Sequence, residues 1–153
     1  MGNFLDLRTS VNSSFYGSPN IPLEQFQILG DIGLQTANVP NPIVALMANY
    51  SFELEYGTGG AVFEFTGVLT REMPSTPEVY ILIQRNYYVS SSSLTSQIVT
   101  IPYLANDLNA PAAAQIQYLF SMELAIFGSG NVTRVGPESF MGIAQNGAVP
   151  PTP

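Results

Sequence analysis

The sequence predicts an all-β chain, a jelly-roll-like antiparallel β-sandwich of about seven or eight strands. Three observations lead there. Apolar and polar residues alternate with period two over long stretches, and clusters of Gly, Pro, Asn and Ser punctuate those stretches. No stretch carries a convincing 3.6-residue helical period. At 153 residues the chain has the size of one ordinary domain.

Residues 1–25 mix Gly, Pro, Asn and Ser with Phe4, Leu5, Leu7, Val11, Phe15 and Tyr16. Neither a helical nor a strand period survives there, so an extended N-terminal arm is expected. Its apolar content is too high for a solvated tail, and the arm is expected to dock onto something. The sandwich itself is expected over residues 26–145, and a flexible C-terminal tail over 146–153, which is rich in proline.

Within the sandwich, Phe26, Ile28, Ile32 and Leu34 alternate with Gln27, Asp31 and Gln35, and Gly30 marks a bulge or a close approach. Val39-Pro40-Asn41-Pro42 is a turn. Tyr50, Phe52, Leu54 and Tyr56 then face one way, with Ser51, Glu53 and Glu55 facing the other, as in a half-buried strand. Gly57-Thr58-Gly59-Gly60 has the composition of a hairpin turn, which makes 61–70 the returning partner strand.

Residues 79–88 are largely apolar and predict a central strand covered on both faces. Another strand is expected over 97–103, where Pro102 points to an edge or a strand end. Residues 110–114 allow a short helical turn at most. The clearest element is 115–127, where Ile116, Tyr118, Phe120, Met122, Leu124 and Ile126 occupy alternate positions without a break. At about 3.3 Å per residue such a strand approaches 43 Å and is expected to bend. Gly128-Ser129-Gly130-Asn131 is expected to end it, leaving a last strand within 131–145. One long bent strand near the end favours a jelly roll over an immunoglobulin-like sandwich, whose Cys and Trp markers are missing.

The absent residue types narrow function. There is no Cys, His, Lys or Trp. Arg8, Arg71, Arg85 and Arg134 are the only cationic side chains, against eleven acidic ones, for a net charge of −7. Nucleic-acid binders and anionic-membrane binders draw their affinity from Lys and Arg, so neither partner is expected. The opening MGNFLDLRTS lacks a basic region followed by an apolar run, so no secretory signal is expected there. The longest unbroken apolar run, 43–48, is far too short to span a bilayer.

Nucleophilic catalysis through Ser–His or Cys–His pairs is excluded, as is Schiff-base chemistry through Lys. No glycine-rich loop sits where a phosphate site needs one. Glu53, Glu55 and Glu64 would share a surface if the expected hairpin formed, which is the spacing of a two-carboxylate glycosidase. The simpler reading is a solvated strand face. Asn106, Asp107 and Asn109 supply oxygens without a calcium-loop pattern and read as an ordinary polar turn. No enzyme activity, cofactor or metal is expected.

What remains is the surface. Only 10% of residues are charged, where a soluble domain carries roughly a quarter. Neutral surfaces bury with little desolvation cost, and Lys, a common guard against edge-to-edge strand pairing, is missing. Leu119, Phe127 and Tyr87 or Tyr88 fall near strand faces opposite the expected core; either loops and the arm cover them or they meet another subunit. Together with Phe4, Leu5, Leu7, Val11, Phe15 and Tyr16 they form the expected self-assembly interface. The arm could add a strand to a neighbour's sheet.

The Lys-free sandwich ending in Ser139-Phe140-Met141-Gly142-Ile143 resembles the compact trimeric jelly rolls of the C1q and tumour-necrosis-factor type. In composition it is similar to bacterial spore-surface proteins of the exosporium and endospore appendages. That resemblance implies a non-enzymatic structural subunit that assembles with copies of itself on an extracellular, spore or virion surface, as a layer, filament or appendage. The cross-linking Cys of many appendage subunits is missing here. A phage decoration or fibre-head protein and a carbohydrate-binding adhesin module are the alternatives, and a glycan is the one other partner the surface Tyr and Asn suggest.

Overall fold

The computed structural model describes residues 3–13, 21–23, 25–73, 76–90 and 95–147. Among them are eight strands and no helix: β1 (Phe4–Ser13), β2 (Ile21–Pro22), β3 (Phe26–Gln35), β4 (Pro42–Met73), β5 (Thr76–Val89), β6 (Ser96–Asp107), β7 (Gln115–Arg134) and β8 (Glu138–Asn146). Every pairing is antiparallel. The all-β sandwich is therefore present.

Two long strands organise it. The first half of β4 pairs with β6 on one side and β8 on the other, and β1 pairs with β8. This gives a first layer in the order β1-β8-β4-β6. The second half of β4 pairs with β5 and with β7, and β3 pairs with β7. This gives a second layer, β3-β7-β4-β5. Both layers therefore share β4, a strand of 32 residues.

The crossing between layers corrects the expected hairpin. Gly57-Thr58-Gly59-Gly60 does not reverse the chain; it lies inside β4. Tyr56 pairs with Gly130 and Ala61 with Gly128, so β4 advances five residues while β7 advances two. Three extra residues sit in β4 at the bend. As a result its inward side chains are even-numbered up to Leu54 and odd-numbered from Ala61. Gly60 and Gly128 hold positive φ of 80° and 105°, a conformation that L side chains resist. The same bend lets β7 run on to Arg134, past the Gly128–Asn131 stretch expected to end it.

Two further expectations change. Residues 4–13 of the expected arm form a strand on β8, with Leu7 opposite Ile143 and Thr9 opposite Met141 of the same chain and register shifts after Phe4 and after Ser10. At the edge of the sheet β1 contributes little to the core, so no clean alternation marks it. Residues 79–88 are not a central strand covered on both faces: β5 pairs with β4 alone, and Tyr80, Ile83, Tyr87 and Val89 are exposed. Pro102 lies on β6, which likewise pairs with β4 alone, so its missing N–H interrupts no second ladder.

The layers meet through aromatic rings. Phe120 of β7 stacks on Tyr50 at 5.1 Å and 7° between planes, and also contacts Tyr103 and Phe140 at 4.7 and 6.2 Å. One ring of the second layer thus touches three strands of the first. Phe120 and Phe140 each contribute about 1.5–3 kcal/mol through burial. Close approach requires small residues opposite large ones: a Cβ on Gly30 would lie 2.7 Å from the Phe140 ring, and one on Gly67 would enter the Tyr103 ring. The layers also meet at their edges. Asp6 accepts a hydrogen bond from the Gln35 N–H at 2.9 Å, and Gln84 donates to the Pro102 carbonyl at 3.3 Å. The sandwich is nearly closed into a barrel.

Candidate functional site

The core takes two of the four arginines. Arg134 donates Nε and Nη2 to the two carboxylate oxygens of Glu138, at 2.8 and 2.6 Å, across the link between β7 and β8. Arg71 binds Asp107 at 2.6 Å, with side chains only 9% and 3% exposed. Arg8 forms an exposed pair with Asp6 at the β1 edge. Of the arginines this leaves Arg85 on a broad outer face, and it stands on the second layer.

Cross-strand register fixes what each outer face presents. On the first layer the outward rows are Thr100–Ser51, Pro102–Asn49–Ser139, Leu104–Met47–Met141–Thr9, Asn106–Ala45–Ile143–Leu7, and Ile43–Gln145–Phe4. None of these side chains is ionisable. Leu104 is 65% exposed and Met47, its direct partner, 40%. Ser51 and Thr100 share a hydroxyl hydrogen bond of 2.8 Å, which uses up their polarity internally. The first charges along this face appear one row further on, at Glu53.

The second layer is built differently. Its outward rows are Val89–Val62–Phe127, Tyr87–Glu64–Ala125, Arg85–Thr66–Glu123–Phe26, Ile83–Val68–Ser121–Ile28 and Tyr80–Thr70–Leu119–Asp31. Charged groups occupy the middle and aromatic rings the flanks. A hollow of about 710 Å³ opens over Glu64, Thr66, Arg85, Glu123 and Ala125, walled by Leu23, Gln25 and Phe26. A second, of about 300 Å³, lies over Val68, Thr70 and Ser121 between Phe26, Ile28 and Tyr80. Phe26 and Glu123 line both. Tyr87 donates its hydroxyl to Glu64 Oε1 at 3.1 Å, and Arg85 Nε stands 3.8 Å from the same oxygen.

The residues expected at an interface divide between these faces. Phe4 and Leu7 are exposed on the first; Tyr87 and Phe127 are exposed, and Leu119 half-buried, on the second. Leu5 packs against the core of its own chain. The Val11 side chain, Phe15 and Tyr16 lie outside the described residues. Glu53 and Glu64 do not share a surface, because the hairpin that would have joined them does not form. Glu53 pairs with Thr133 and Glu64 with Ala125, on the two different layers. Among the described residues no group of three or more acidic side chains is placed to hold a metal ion.

Sequence reasoning missed Met47, Leu104, Phe26, Ile28 and Tyr80. Alternation alone places Met47 and Leu104 opposite the core, but nothing in a single strand reveals that their neighbours are also neutral. Only the register does.

Comparison with known proteins places the chain in no family: no family model matches it, and no curated protein matches. Among solved structures it is similar to the Eiger tumour necrosis factor from S. frugiperda, at 13% identity and a TM-score of 0.39, over 99% of this chain and 96% of that one. It is also similar to a carbohydrate-binding module of the β-sandwich superfamily, one described for promiscuous specificity. That match has 10% identity and a TM-score of 0.30, over 88% of this chain and 60% of the other.

Proposed function

We propose that this protein is a non-enzymatic packing subunit that associates with copies of itself through the outer face of its first layer. One observation carries the reading: five successive cross-strand rows, over four strands, hold no ionisable side chain yet expose Phe4, Leu7, Met47 and Leu104. A lone soluble domain normally keeps such a face charged. With strands about 4.8 Å apart and rows about 6.7 Å apart, the face covers on the order of 500 Å². Two copies packed face to face bury roughly 1,000 Å², the lower bound for a specific interface, and lateral contacts would add to it. Methionine at the centre lets the two surfaces adapt to each other.

Such a contact is self-complementary and two-fold. The outer edges of β1 and β6 have no further strand paired to them among the described residues, and what their contacts with β3 and β5 leave uncovered gives further copies a lateral route. Side by side, the subunits would make a layer or filament on a spore, virion or other extracellular surface. The overall charge of −7 opposes association at long range, and salt screens it, so assembly strengthens with ionic strength.

Light scattering and sedimentation on the purified chain test this. Dimers or larger species are expected at moderate salt. Met47→Glu and Leu104→Glu should each convert them to monomers without loss of β-structure. A wild-type chain that stays monomeric at the highest soluble concentration and at high salt would sink the reading, as would association indifferent to both substitutions.

A further inference from the structure

We infer that the outer face of the second layer is a binding cleft for a neutral oligosaccharide. Beneath the cleft β4 is hydrogen-bonded on both sides, to β5 and β7, and β7 on both sides, to β4 and β3. Between Thr66 and Thr70 and between Leu119 and Glu123 the floor therefore offers no main-chain donor or acceptor, and among the described residues β7 just beyond Leu124 and the outer edge of β5 lack a second strand. Recognition falls to side chains.

Those side chains suit hydroxyl groups. Glu64 and Glu123 present paired acceptor oxygens, Arg85 a fork of N–H donors, and Thr66 between them a group that does both. Among the described residues Glu123 has no hydrogen-bond or ion-pair partner, and the Arg85 side chain is 63% exposed. Three carboxylates, Glu64, Glu72 and Glu123, line the two hollows against Arg85 alone, so an anionic ligand is repelled and a cationic one meets a like charge at Arg85. A neutral ligand rich in vicinal hydroxyls meets none, and it can accept from Arg85 while donating to Glu123.

The flanks supply the other half of sugar recognition, flat apolar surfaces for the C–H face of a pyranose ring. Phe26 on β3 is 56% exposed and Tyr80 on β5 60% exposed, with the polar floor between them. Large rings held open beside a cleft are costly to leave in water and mark a binding site. From Glu64 to Thr70 the floor runs about 20 Å, enough for a chain of several sugars and too long for a single one. This site lies on the opposite layer from the proposed packing face and does not depend on it.

The test is a glycan microarray followed by titration calorimetry with cellohexaose, xylohexaose, mannohexaose and chitohexaose. Saturable binding of at least one neutral oligosaccharide is expected. Phe26→Ala and Glu123→Gln should each weaken it at least tenfold with circular dichroism unchanged, whereas Leu104→Glu should leave it intact. Three results would overturn the assignment: silence from the array and all four hexasaccharides, binding confined to acidic glycans, or binding that survives Phe26→Ala, Tyr80→Ala and Glu123→Gln. Loss of binding in Leu104→Glu would move the site to the packing face and would likewise refute it.

Discussion

Arg71 and Asp107 stand on different layers of the sandwich and meet in its interior, Nη1 2.6 Å from Oδ2. Tyr118 donates its hydroxyl to the same carboxylate oxygen at 2.9 Å, the Asn109 N–H donates to the other oxygen at 3.1 Å, and Arg71 also donates to the Asn109 carbonyl at 3.0 Å. The cluster ties the end of β6 to β4 and β7. Removing one member strands a charge where water cannot reach it. Asp107→Ala is therefore expected to cost about 3–5 kcal/mol, read from urea unfolding. Replacing the whole cluster by apolar residues, Arg71→Met with Asp107→Leu and Tyr118→Phe, should recover most of that loss, because no unpaired charge remains. If Asp107→Ala unfolds with wild-type stability, the clasp does not hold the layers together.

Alkali should unfold the protein through its tyrosines. Burial raises the phenol of Tyr50, Tyr103 and Tyr118 far above the ordinary value of 10.0, with the negative charges of Glu138 and Asp107 adding to the effect at Tyr50 and Tyr118. In the unfolded chain these groups ionise near pH 10. The folded state then keeps protons that the unfolded state sheds, so their contribution is complete below pH 10 and falls as pH rises above it. Tyrosinate absorbance from these three should appear only as the β-sheet circular dichroism disappears. A single reversible phase of all eight tyrosines with the sheet intact would contradict this.

Acid should loosen β1 first. The Gln35 N–H holds the Asp6 carboxylate below its ordinary value of 3.8, against the opposing effect of burial and with help from Arg8 and the Leu7 N–H. A lowered value means stabilisation that is present above pH 3.8 and lost as pH falls through the lower folded value. Asp6 makes a hydrogen-bonded link between β1 and β3. Amide exchange at Gln35 and along β1 should accelerate in that acid range before the rest of the sheet responds. Asp6→Asn should show much of the same acceleration already at neutral pH. Equal protection across β1 and β4 throughout would show that the link is not needed.

The sequence made most of the strands visible and little of how they are joined. Alternation in Tyr50, Phe52 and Leu54, and in Ile116 to Leu124, is a local property, and all of these residues face the core. Gly57-Thr58-Gly59-Gly60 deceived because glycines at positive φ serve a hairpin and a bend equally well. The distinction lies in β7, more than sixty residues away, which bends beside it. Ala61 and Phe63 carry a clue, since the inward parity switches there, but a returning hairpin strand predicts the same switch. The outer faces were harder still. That Met47 lies beside Leu104 and Met141 is a fact of register among three strands, and no one of them contains it.

The bend offers a graded test of that geometry. Gly59 has φ 106° with open space where a Cβ would go. Gly128 has φ 105°, but there a Cβ would lie 2.5 Å from the Gly60 carbonyl oxygen and 3.1 Å from the Ala61 Cα. Both substitutions to Ala incur backbone strain, of order 1–3 kcal/mol. Only Gly128→Ala also forces apart the two strands that carry both layers, and overpacking of rigid backbone adds about 1–3 kcal/mol. Gly59→Ala should thus fold with a modestly lowered melting temperature, while Gly128→Ala should be clearly less stable by urea unfolding. If the two variants are equally stable, β4 and β7 do not turn together at this point. The continuous passage of β4 from one layer to the other would then be wrong, and with it the separation of the charge-free face from the cleft.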